Sequence, residues 1–153
     1  MNLTQQSIPY EKVEAWLMSY SDWKARLEYA QAELKHIPGF TRALHEWVNH
    51  GNGRKQEPLL RTVIHRIEIT EHEIPLLLSR IGLIDYAFSS LTTEEILFVR
   101  LRYLDKLALS VIMDRIALSR RAFFYHRKRI LHKVYRKIKD RAVLLELDSF
   151  GED

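Results

Sequence analysis

From Val13 onward, apolar and aromatic residues fall at Val13, Trp16, Tyr20, Trp23, Leu27, Ala30 and Leu34, in alternating steps of three and four. That spacing draws a heptad stripe along one side of a helix, with the aromatics as packing anchors. The breaker pair Pro38-Gly39 must end it. Phe40, Leu44, Trp47 and Val48 follow at helical spacing, and Gly51-Asn52-Gly53-Arg54-Lys55 reads as a flexible turn or linker. A second stripe runs through Leu60, Val63, Ile67, Thr70, Ile74, Leu77, Ile81, Ile84 and Phe88. Pro75 interrupts it, lacking an amide proton and crowding the preceding turn, so a kink or short break is expected there. Two such helices bury their stripes as an antiparallel, coiled-coil-like hairpin or against a second copy of the chain, and periodicity does not separate the two.

The pattern changes after Ser90. Thr92-Thr93-Glu94-Glu95 has the form of a capping box and starts a helix at about Thr93, which carries Ile96, Val99, Arg100 and Tyr103 and ends near Leu104-Asp105-Lys106. A short helix over about 110–117 presents Ile112, Met113 and Ile116. Leu118-Ser119 turns a tight corner, with Ser119 placed as the N-cap of a third helix. At one hundred degrees per residue, Phe123, Ile130 and Val134 share one face of that helix, with the stem of Arg127 beside them. Arg121, Tyr125, Lys128 and His132 lie opposite, flanked by Phe124 and Arg129. One face packs on the preceding helices, and the other is basic and aromatic.

Charge reinforces the division. The formal total is only +4, but residues 96–141 hold fourteen Lys or Arg against three Asp or Glu, a local +11 that leaves −7 for the rest. A basic segment in an otherwise acidic chain suits a polyanion. A hydrophobic fraction of 46% with five glycines and four prolines is that of a chain that folds. With no cysteine, disulfides and thiolate metal sites are excluded and a cytoplasmic setting is the simplest. No apolar run approaches the roughly eighteen residues that a membrane span needs, and the N-terminus lacks a signal-peptide pattern.

Catalytic chemistry finds little footing, and no cofactor is implied. His72-Glu73-Ile74-Pro75 begins like a zinc-protease helix but lacks the second histidine, and its proline would break the helix the motif requires. His65, Glu68 and His72 could share a helix face, a common arrangement on charged helices, so no metal site is assigned. Gly51-Asn52-Gly53-Arg54 lacks the Lys-Ser/Thr ending of a phosphate-cradling loop.

A basic helix entered by a short turn fits the DNA major groove, with side chains near its N-terminal end on base edges and later cations on phosphates. Arg120, Arg121, Phe124 and Tyr125 are therefore the base-reading candidates. Ser119, Lys128, Arg129, Lys133 and Arg136 are the phosphate candidates.

The runs Val99-Arg100-Leu101-Arg102-Tyr103, 112–116, Leu118-Ser119-Arg120-Arg121 and 125–131 resemble region four of bacterial sigma factors. They look closer still to phage-encoded regulators of the ArpU and RinA type, which join a helical N-terminal part to a sigma-like helix-turn-helix. The resemblance covers residues 91–134 well and the rest in outline. It implies an all-α chain with a helical arm at 1–90, a DNA-binding helix-turn-helix at 91–141 and a tail at 142–153. It also implies activation of late phage genes, with Arg120, Arg121 and Tyr125 at base-reading positions. Tyr125 stands where glutamine is common, so base preference is not carried over. Nothing before Gly53 resembles a promoter-melting region, which favours an accessory regulator over a complete sigma factor. Double-stranded DNA is the expected partner, with RNA polymerase and a second copy of the chain as further ones. A small terminase subunit that holds packaging DNA, or an adaptor that touches RNA polymerase alone, are the competing expectations.

Overall fold

The computed structural model describes residues 7–37, His45 and residues 53–146, and these are helical with no strand among them. In chain order they form α1 (Tyr10–His36), α2 (Gly53–Glu68), a π-type turn (Ile69–Glu73) and α3 (Ile74–Phe88). Then come α4 (Thr93–Val99), a second π-type turn (Arg100–Leu104), α5 (Leu109–Arg115), α6 (Arg120–Ile138), a 3-10 turn (Lys139–Arg141) and α7 (Val143–Glu146). No helix among the described residues is long and apolar enough to cross a membrane. The segment 38–44, with Phe40 and Leu44, together with Trp47, Val48, Gly51 and Asn52, lies outside the described residues. Gly53 to Lys55, expected in a linker, instead begin α2.

The chain divides into two compact units. One joins residues up to Trp23 with Arg80 onward, and the other contains Lys24–Ser79. The first unit is built on Val13, Leu17, Ile84, Tyr103, Ile112, Phe123, Ile130, Leu131 and Val134, all fully or almost fully buried. Tyr20 meets Phe88 edge-on at 5.3 Å and donates its hydroxyl to Asp85. Burial and that carboxylate push the Tyr20 hydroxyl well above the usual tyrosine range. Buried Arg80 stacks its guanidinium on Trp23 at 5.5 Å and donates to the Leu144 carbonyl at 3.0 Å, and burial holds it below the ordinary arginine value.

In the second unit, Ala30, Ile69 and Leu77 are buried. His65 meets Glu33 at 2.8 Å, and Arg26 pairs with Glu73. Arg66 reaches the carbonyls of Leu34 and Ile37 at 3.1 and 3.2 Å, where α1 runs out of intrahelical donors. Pro75 does not break the helix here. The Ile74 amide bonds to the Ile69 carbonyl, one residue further back than in an α-helix, and this wider turn takes up the chain just before the proline. Its extra residue changes which positions face inward. After it Leu77, Ile81 and Ile84 are buried as the stripe predicts, whereas before it Leu60 and Ile67 are 58% and 43% exposed. The half-buried positions there are Leu59, Thr62, Val63 and Arg66, in register with buried Ile69, and of these only Val63 belongs to the predicted stripe.

Candidate nucleic-acid interface

Local sequence sets α4 to α6 in place. The Thr92 hydroxyl accepts from the Glu95 amide at 3.2 Å while the Glu95 carboxylate accepts from the Thr92 amide at 3.0 Å, a complete capping box. α5 closes on a left-handed residue, Ala117 with φ of 51°, and the Leu118 amide returns to the Met113 carbonyl at 3.1 Å. Ser119 then caps α6 by accepting from the Ala122 amide at 3.1 Å. Phe123 is the hinge pin of this corner, fully buried with its ring 4.9 Å from Phe98.

The side of α6 next to its core face carries cations that are engaged. Arg127 is bound through two nitrogens to the Glu14 carboxylate of α1, and Tyr103 donates to the same carboxylate at 2.7 Å. Burial alone would raise the Glu14 carboxyl, but the hydrogen bonds from Arg127 and Tyr103 and the charges of Arg127 and Arg102 outweigh it and hold it below the ordinary carboxylate value. The Tyr103 hydroxyl, desolvated and facing that carboxylate, is pushed well above the usual tyrosine range. Lys133 meets Glu95 at 2.6 Å, and Glu95 is likewise held low although burial opposes it.

The outward side is different. Arg121, Lys128, Arg129, His132 and Arg136 are exposed, and none of the four cations among them has a carboxylate partner among the described residues. Tyr125 is 62% and Phe124 41% exposed beside them, and Arg120 lies over the Phe124 ring at 5.9 Å. No acidic residue stands in the first turn of α6. Arg120 and Arg121 there face the positive end of the helix dipole, an arrangement that costs stability alone and is relieved by an anion.

No protein-family model, curated protein or solved structure matches this chain.

Of the residues singled out in the sequence, Arg120, Arg121, Phe124, Tyr125, Lys128, Arg129 and Arg136 share the exposed sides of α6. Ser119 is exposed too, its oxygen accepting from the helix and its proton able to donate outward. Lys133 differs from the rest, because its ammonium is already paired with Glu95. Sequence reasoning missed Glu14. The signal was a carboxylate set inside the apolar stripe between Val13 and Trp16, where a solvated acid would not be expected. Among the described residues no three His, Asp or Glu side chains gather as a metal site.

Proposed function

We propose that this chain is a sequence-specific DNA-binding transcriptional regulator whose helices α5 and α6 act as a helix-turn-helix. On this reading α6 is the recognition helix, and the resemblance to ArpU- and RinA-type phage activators gives the biological role. Arg120, Arg121, Phe124 and Tyr125 meet base edges, while Ser119, Lys128, Arg129 and Arg136 hold phosphates. Within the second unit, the pairs His65 with Glu33 and Arg26 with Glu73 support an antiparallel arrangement of α1 and the α2 segment.

The observation that carries the reading is the sorting of charge around α6. Cations next to the core face have carboxylates, and those on the outward side beside exposed aromatics have none among the described residues. A merely solvated helix gains nothing from stacking cations at its N-terminal end, whereas a polyanion rewards it. Selection of bound sequences from random duplexes tests the reading. A reproducible motif with a defined half-site is expected, and enrichment of no sequence over the starting pool would overturn it.

A further inference from the structure

Helix α2 carries apolar residues on two sides. Leu59, Val63 and Arg66 are half-buried within their own unit, where His65 and Arg66 tie α2 to α1. Leu60, Ile64 and Ile67 form a second row, within about 60° of one another at one hundred degrees per residue. These three are 58%, 46% and 43% exposed. A helix that is apolar on two sides has two faces to cover, and among the described residues the second row is left open to solvent.

The charges beside that row select its occupant. Arg61 and Glu68 stand two turns apart on one flank of it, both exposed, with Ile64 and His65 midway between them. Arg61 meets Glu57 of its own helix at 2.7 Å, and Glu68 has no cation partner among the described residues. When a second copy of α2 is laid antiparallel about a two-fold axis beside Ile64, like flanks face each other, so Arg61 of each chain comes opposite Glu68 of the other. In a parallel copy Arg61 would face Arg61, and Glu68 would face Glu68. The pattern is self-complementary in the antiparallel orientation, as a two-fold interface between identical surfaces requires. That orientation also opposes the two helix dipoles.

We propose that the row of Leu60, Ile64 and Ile67 is a homodimer face, on which α2 of two copies packs antiparallel with Ile64 at the centre and Arg61 paired with Glu68 across the interface. A row of three side chains is small beside the roughly 800 Å² per partner of a standard interface, so a dissociation constant on the order of micromolar is expected.

The test is sedimentation equilibrium of the full chain without DNA, so that its outcome is separate from that of the nucleic-acid reading. The mass should rise with concentration from the 18.2 kDa of one chain to twice that value and stop there. Ile64→Asp, at an exposed position, sets two carboxylates against each other at the centre and should weaken association roughly tenfold or more, with the helical circular dichroism intact. Arg61→Glu should weaken it roughly threefold or more, and adding Glu68→Arg to the same chain should restore it, because the pair is then reversed rather than lost. In a parallel dimer the single change would exchange one like pair for another and leave the affinity unaltered. The proposal is overturned if the chain stays monomeric at about 0.5 mM, far above the expected dissociation constant, or if the mass passes two copies. It is equally overturned if Ile64→Asp associates as wild type does, or if Arg61→Glu has no effect or is not rescued by Glu68→Arg.

Discussion

The two sides of α6 hold the same kind of residue in opposite circumstances. Arg127 is 18% exposed and clamped by Glu14, whereas Arg121 and Lys128, on the other side of the helix, are exposed with no carboxylate partner among the described residues. A half-buried guanidinium that has lost part of its water is compensated by a carboxylate, and an exposed one gains little from having it. The difference teaches that positive charge on this helix has two jobs. One set fastens α6 to α1 and to the turn bearing Tyr103, and the other faces outward, where the proposed function assigns it to DNA.

The largest expected effect breaks the fastening. Glu14→Ala strands Arg127 and the Tyr103 hydroxyl and should lower the unfolding free energy by about 3 kcal/mol, read from urea denaturation. Removing both charges with Glu14→Leu and Arg127→Leu together should restore much of that loss, and a double change as damaging as the sum of the two single ones would deny the coupling. The same clamp sets an acid limb. Because the folded Glu14 carboxyl lies below its ordinary value of 4.5, its contribution is fully present well above that pH and is lost as pH falls through the lower folded value. Denaturation midpoints of wild type should therefore drop below about pH 4.5, and Glu14→Gln should flatten that drop.

The next largest effect falls on the outward side. Arg121→Ala should weaken binding to a selected duplex by roughly 1 to 3 kcal/mol and relax discrimination at one base position, while raising the denaturation midpoint slightly, since a cation leaves the positive end of α6. An unchanged site preference in the same selection would remove Arg121 from the base-reading set.

How much of this was legible in the sequence depends on the kind of signal. The α4 start was readable because Thr92 and Glu95 stand three residues apart, and the α6 start because Ser119 precedes a basic amphipathic run. The two faces of α6 followed from periodicity, since Phe123, Ile130 and Val134 recur at helical spacing and are buried. The turn at Ile69–Glu73 was not readable in detail. Pro75 announces a disturbance but does not say whether the chain kinks or widens, and that choice decides whether Leu60 or Leu59 faces inward. The Glu14 clamp was hidden because its partners lie far along the chain, and a carboxylate inside an apolar stripe says only that something must meet it. Lys133 looked like its exposed neighbours because nothing in spacing alone brings it to Glu95.

Smaller effects sharpen the contrast. Thr92→Ala removes one half of the capping box and should cost about 1 kcal/mol, measured by thermal unfolding, with duplex affinity changed only through stability. The smallest concerns Ala117, which takes a left-handed conformation without being glycine. Ala117→Gly relieves that strain but adds freedom to the unfolded chain, so a net gain of less than about 1 kcal/mol is expected, and a clear loss would mean that the Ala117 methyl makes a needed contact.

The most direct measurement of the central claim is the salt dependence of duplex binding for wild type, Lys128→Ala and Lys133→Ala, each first shown to be folded. Log affinity should fall linearly with log salt, by about 0.9 for each phosphate neutralised; Lys128→Ala should shallow that slope by about one contact and Lys133→Ala should leave it unchanged. Binding that ignores salt, or a slope that responds to Lys133 and not to Lys128, would contradict the assignment of the outward side of α6 to DNA.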